Sequence, residues 1–150
     1  MVKRRLPTLA ILPIVLLAPA CAMHRAVRHE FANSRTFAAD FDRTWTAATE
    51  ASADLVLPIE KIARDSGLMT LQWIAIPRGW VDCYAQPPGP GASHAAYLFN
   101  IFVRREAGTR TKVTVNAFIA RPDVPVSFSE CFSTGAFEEL FFSTIEKKLK

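Results

Sequence analysis

The side chains of this 150-residue chain that could do chemistry are few and scattered: three cysteines, three histidines, Asp82 beside Cys83 and some loop serines. A thiol nucleophile would need Cys83 or Cys131 to be free and within reach of a base such as His94. Asp82 precedes Cys83 directly, but one carboxylate without a partner is a weak acid–base apparatus. His24 and His29 stand five residues apart in a polar stretch and read as solvated. Zinc needs more ligands at short spacing, and neither Cys83 nor Cys131 has a C-x-x-C companion. Ser66, Ser93, Ser127 and Ser129 sit in no G-x-S-x-G elbow. No phosphate loop or dinucleotide fingerprint occurs. The pattern reads as a non-enzyme without cofactor or metal, with a thiol-dependent enzyme built on Cys83, Cys131 and His94 as an alternative.

Cys21 has a different setting. Lys3, Arg4 and Arg5 precede an apolar run over 6–17, and Ala18, Pro19 and Ala20 come directly before the cysteine. A basic head, an apolar stretch too short to span a bilayer comfortably and small residues before a cut describe a secretory signal, residues 1–20. The segment resembles the lipobox of bacterial lipoproteins, in which the cysteine is diacylated and becomes the mature N-terminus. Leu17 lies one place earlier than that pattern has it. The resemblance implies a lipid anchor on Cys21, and Ala22 in place of an aspartate implies the periplasmic side of the outer membrane of a Gram-negative bacterium. Two acyl chains with an amide-linked third hold a membrane stably, where one chain holds only marginally. Ala18-Pro19-Ala20 also fits an ordinary signal-peptidase site, which would leave a plain secreted chain.

Removal of the signal changes the charge. Three of the 18 lysines and arginines leave with it, so 15 basic side chains face 14 acidic ones, a net charge of about +1 in place of +4. A near-neutral domain without a basic and aromatic patch is not built to bind nucleic acid. With Cys21 used for lipid, Cys83 and Cys131 remain. In an oxidising compartment this pair suggests one disulfide, the alternative being two buried thiols.

The rest of the chain must position these groups. Residues 21–35 read as lipid anchor and tether, and residues 36–150 as a single domain large enough for a core of its own. A short strand is expected at 36–39. A helix follows over 40–55, capped by Asp40, with Phe41, Trp45, Ala48 and Leu55 along one stripe. Residues 59–64 and 68–74 read as a hairpin turning at Gly67, with Met69, Leu71 and Trp73 facing the core. Residues 87–91 are all proline or glycine and predict an exposed loop. A long hairpin pairs 95–105 with 111–121. Tyr97, Phe99, Ile101 and Val103 form one row, and Val113, Val115, Ala117 and Ile119 its partner. A last helix is expected over 136–149, capped by Ser133 or Thr134, with Phe137, Leu140, Phe141, Ile145 and Leu149 inward. The order predicts an α+β fold: an antiparallel twisted sheet with two helices on one face, a helix-grip-like two-layer sandwich.

Within 41–74, the residues Phe41, Asp42, Trp45, Ile59, Asp65, Gly67 and Leu68 resemble the repeat domain of BamC-type outer-membrane lipoproteins, also called NlpB. The stretch 131–138 is similar to that of small proteobacterial lipoproteins with the same domain. The resemblance implies a helix-grip fold and an envelope address. BamC-type proteins carry two such domains and a long N-terminal segment, whereas this chain has one domain and a short tether.

The remaining aromatic residues suggest a surface. If the second sheet face is uncovered, Leu98, Phe102 and Phe118 form an apolar patch there, with Trp80 and Tyr84 of the middle loop beside it. The functional expectation is an accessory or scaffold in envelope protein assembly that docks another envelope protein. A carrier or sensor holding an apolar ligand between sheet and middle loop is the alternative.

Overall fold

Asp40 begins the first helix as its sequence position suggests. Its carboxylate accepts the Arg43 backbone N–H at 2.9 Å, and α1 runs Phe41–Asp54. The computed structural model describes residues 26–75, 77, 79–83, 96–120 and 131–150. Residues 1–25 with Cys21 and His24, Tyr84, the stretch 87–91, Ser93, His94 and residues 122–130 with Ser127 and Ser129 lie outside these. So do the side chains of Trp73 and Tyr97.

The described strands are β1 Ser34–Phe37, β2 Ile59–Ala63, β3 Leu68–Ala75, β4 Val81–Cys83, β5 Ala96–Arg105, β6 Thr111–Ala120 and β7 Cys131–Ser133, and the second helix, α2, is Ala136–Leu149. β1, β6, β5, β3 and β2 form one antiparallel sheet in that order, and β4 pairs with β7 in a separate ribbon. The architecture is α+β in two layers. β1 starts two residues earlier than its hydrophobic pattern suggested, because its pairing with β6 extends to Ser34 opposite Thr114; Arg35 within it pairs with Glu139 and Glu146 of α2.

The long hairpin has the register that its alternation predicts, with Phe99 opposite Ala117, Ile101 opposite Val115 and Val103 opposite Val113. These side chains, with Met69 and Leu71 of β3, are buried on one face of the sheet. Phe41, Trp45, Ala48 and Ala51 from α1 and Phe137, Phe141, Phe142 and Ile145 from α2 close over them. Phe99 stacks on Phe137 with ring centroids 4.0 Å apart, and Phe141 extends the stack. Leu140, expected inward, lies at the surface, and Phe142 takes the inner position against Phe37. The buried stripe of α2 runs through Phe137, Glu138, Phe141, Phe142 and Ile145, which leaves Leu140 on the outer side.

Gly67 ends the 3-10 turn 64–66 at φ +65°. A Cβ there would stand 2.0 Å from the Val103 carbonyl oxygen, so the turn can lie against β5 only with glycine. Its own carbonyl accepts the Val103 N–H at 2.7 Å. At the end of α1, Leu57 N–H reaches the Ser52 carbonyl and Val56 N–H the Ala53 carbonyl, the paired bonds of a Schellman cap. Val56 occupies the left-handed position with φ 53°.

Candidate binding cleft

The structure joins Cys83 and Cys131 in a disulfide, directly opposite each other across the β4–β7 ribbon with Cα atoms 4.0 Å apart. The two thiols are thereby consumed. Trp80, just before β4, turns its ring toward the core and lies 5.5 Å from the Phe137 ring. It therefore packs against α2 rather than lining the outer sheet face where the sequence placed it. The physical reason is Gly79 and Thr134: the Thr134 hydroxyl bonds the Gly79 carbonyl at 2.8 Å and its N–H bonds the Trp80 carbonyl at 3.0 Å. These bonds clamp residue 80 to the start of α2.

Part of the expected tether lies against the domain. Asp82 accepts the Val27 N–H at 3.1 Å and pairs with His29 Nε2 at 3.2 Å. Arg28 lies over the Phe132 ring, 4.9 Å from its centroid. Phe31 sits against Gly135, where a Cβ would approach within 2.6 Å of the Phe31 ring. Glycine at 135, with φ +85°, thus both opens α2 and makes room for the arm. Ser133 and Thr134 are not the cap residue; their hydroxyls accept the backbone N–H groups of Gly135 and Ala136 from outside the helix. His29, read as solvated, and Asp82, read as a lone carboxylate, are partners across 53 residues.

On the outer sheet face, Leu98 stands directly opposite Phe118, which is 62% exposed. Phe102 is half-buried two rungs away, beside Arg104. Between them lies a polar rung, Asn100 opposite Asn116, with Thr70 bonding Asn100 and Asn33 bonding Asn116. Leu98 and Phe118 therefore form one apolar spot and Phe102 another, instead of one continuous patch.

A cleft of about 630 Å³ opens beside this spot, between β6 (115–119), the arm and β7. Arg28, His29 and Phe31 form one wall, and Cys131, Phe132 and Ser133 another. Glu138 closes its floor. That side chain is almost fully buried, and burial raises its pKa above the ordinary carboxylate range. Its own backbone N–H and the Ser133 hydroxyl, 2.9 Å from both carboxylate oxygens, pull it back down. Sequence reasoning did not single out Glu138. Its place three residues after the cap, with Ser133 before it, was the available signal.

Among the described residues, no three histidine, cysteine, aspartate or glutamate side chains gather as metal ligands would. No described helix is long and apolar enough to cross a membrane.

No family model matches the chain, and no curated protein matches it either. Among solved structures, it is similar to an uncharacterized protein from Bacillus thuringiensis at 12% identity, with 84% of this chain and 95% of that one covered and a TM-score of 0.35. It is also similar to the Zhui aromatase/cyclase from Streptomyces sp. R1128 at 15% identity, with 83% and 86% covered and a TM-score of 0.32. Likenesses this distant say nothing about activity.

Proposed function

We propose that this protein is a non-enzymatic binding protein of the bacterial envelope, anchored by lipid on Cys21, that docks another envelope protein at the cleft and the Phe118 spot beside it. The observation that carries the reading is Phe118: a phenylalanine 62% exposed at the rim of an open cleft, on a domain whose core is already filled. The Phe99, Phe137, Phe141 and Phe142 rings occupy the layer between sheet and helices, and residues 84–95 of the middle loop, under which the alternative carrier would hold its ligand, lie outside the described residues. The disulfide removes the nucleophile that a thiol enzyme needs. The signal and lipobox-like segment and the BamC-type resemblance of 41–74 support the address, and assembly or scaffolding is the role that address suggests.

The test is photo-crosslinking in living cells with Phe118→benzoyl-phenylalanine, the probe at Lys61 serving as control on the far sheet edge. One discrete protein adduct from position 118, absent from position 61, is expected in the membrane fraction. No adduct from position 118 at native expression would overturn the reading.

A further inference from the structure

β1 pairs with β6 only up to Ser34 opposite Thr114, and one more bond, Val115 N–H to the Asn33 carbonyl at 2.8 Å, ends the contact. β6 continues to Ala120. The hairpin mouth fixes which way its later backbone groups point. Glu106 N–H bonds the Arg110 carbonyl, so even-numbered residues of β6 exchange bonds with β5 and odd-numbered ones turn away, as Val115 does. Ala117 and Ile119 therefore direct N–H and C=O groups off the sheet edge at the cleft. Among the described residues, neither group finds another strand. Such an edge is a template for strand addition.

We propose that the cleft takes an extended segment of the partner protein, added as a strand beside Ala117 and Ile119 and bearing a carboxylate side chain for Arg28. This rests on the docking reading above and specifies how docking occurs. The occupant is a strand because the donors and acceptors at 117 and 119 repeat at about 7 Å, the two-residue spacing of extended backbone. Its charge follows from the wall: Arg28 is exposed, stacked on Phe132 and in no ion pair among the described residues, whereas His29 beside it is taken by Asp82. Phe31 and Ile119 supply the apolar lining for alternate side chains.

The experiment uses the full chain purified from cell membranes in detergent and a short peptide of alternating valine and threonine with one aspartate. Amide exchange followed by NMR should show the 117 and 119 amides fast in the free protein and slowed by the peptide, with 116 and 118 slow throughout. Methylating alternate peptide nitrogens should weaken binding about tenfold, as should Ala117→Pro, which removes a donor on the open side of an edge strand. Arg28→Gln should abolish the preference for aspartate over asparagine in the peptide. Amides 117 and 119 already slow in the free chain would overturn the proposal, as an edge covered by the chain itself or by a second copy. Equal binding of the methylated peptide would overturn it as well. If the peptide fails while the adduct at position 118 persists, strand addition falls and docking stands. Loss of both removes the docking reading too.

Discussion

Replacing Cys83 and Cys131 together by serine probes how the cleft is held. The bond spans 48 residues of sequence, for which the chain-entropy relation gives about 4 kcal/mol at 25 °C as an upper value. Its local role is larger than that figure suggests. β4 and β7 contribute three residues each, and an isolated two-stranded ribbon is marginal in water. Besides the bond, the ribbon depends on the Thr134 contacts with Gly79 and Trp80 and on the Trp80 ring against Phe137. The arm depends in turn on Asp82 in β4. The double variant should lose ~2–4 kcal/mol in urea unfolding followed by tryptophan fluorescence. It should also lose amide protection at Val27 while β5 and β6 keep theirs. A loss below about 1 kcal/mol with Val27 still protected would refute the idea that the disulfide builds the cleft wall.

Four further substitutions test the frame. Trp45→Ala should cost ~3–5 kcal/mol by chemical denaturation, since the indole is buried against Phe41; a cost near that of a surface change would contradict the register of α1. Gly67→Ala should cost at least ~2 kcal/mol, because its Cβ meets the Val103 carbonyl and the residue must stay at positive φ. Val56→Gly should instead stabilise by about 1 kcal/mol, as a β-branched residue leaves the left-handed cap position; a lower melting temperature would contradict the Schellman geometry. Glu138 binds its proton more tightly in the folded chain than in the unfolded one, so its favourable contribution is full below the ordinary carboxylate pKa and fades as pH rises through the folded value. The stability of Glu138→Gln relative to the natural chain should therefore improve from pH 4 to pH 8 in parallel urea titrations, and a relative decline over that range would contradict the burial argument.

Periodicity made much of the frame legible. Strict alternation in 97–103 and 113–119 reported both the pairing and the inner face of the long hairpin, because a one-residue slip would turn every apolar side chain outward. The Asp40 cap and the bounds of α2 followed from local chemistry that acts within one helical turn. The cleft was less legible because its walls come from distant segments. Nothing local to His29 announces Asp82, and the arm docks only because Gly135 leaves room for Phe31. Glu138 drew no notice because a carboxylate in a first helical turn is usually solvated, and its burial beside Ser133 of β7 comes from tertiary packing. Leu140 and Phe142 were exchanged because both fit a helical stripe, and the choice rests on how α2 is rotated over β1. Trp80 followed Thr134, a contact across 54 residues of chain that no pattern encodes.

The central claim is an anchored, disulfide-pinned protein that works by binding rather than by catalysis. The most direct measurement is the intact mass of the mature chain from its native membrane, with alkylation before and after reduction. The account predicts a chain beginning at a triacylated Cys21, with Cys83 and Cys131 alkylated only after reduction. An unlipidated chain whose Cys83 or Cys131 is alkylated rapidly without reduction would contradict it.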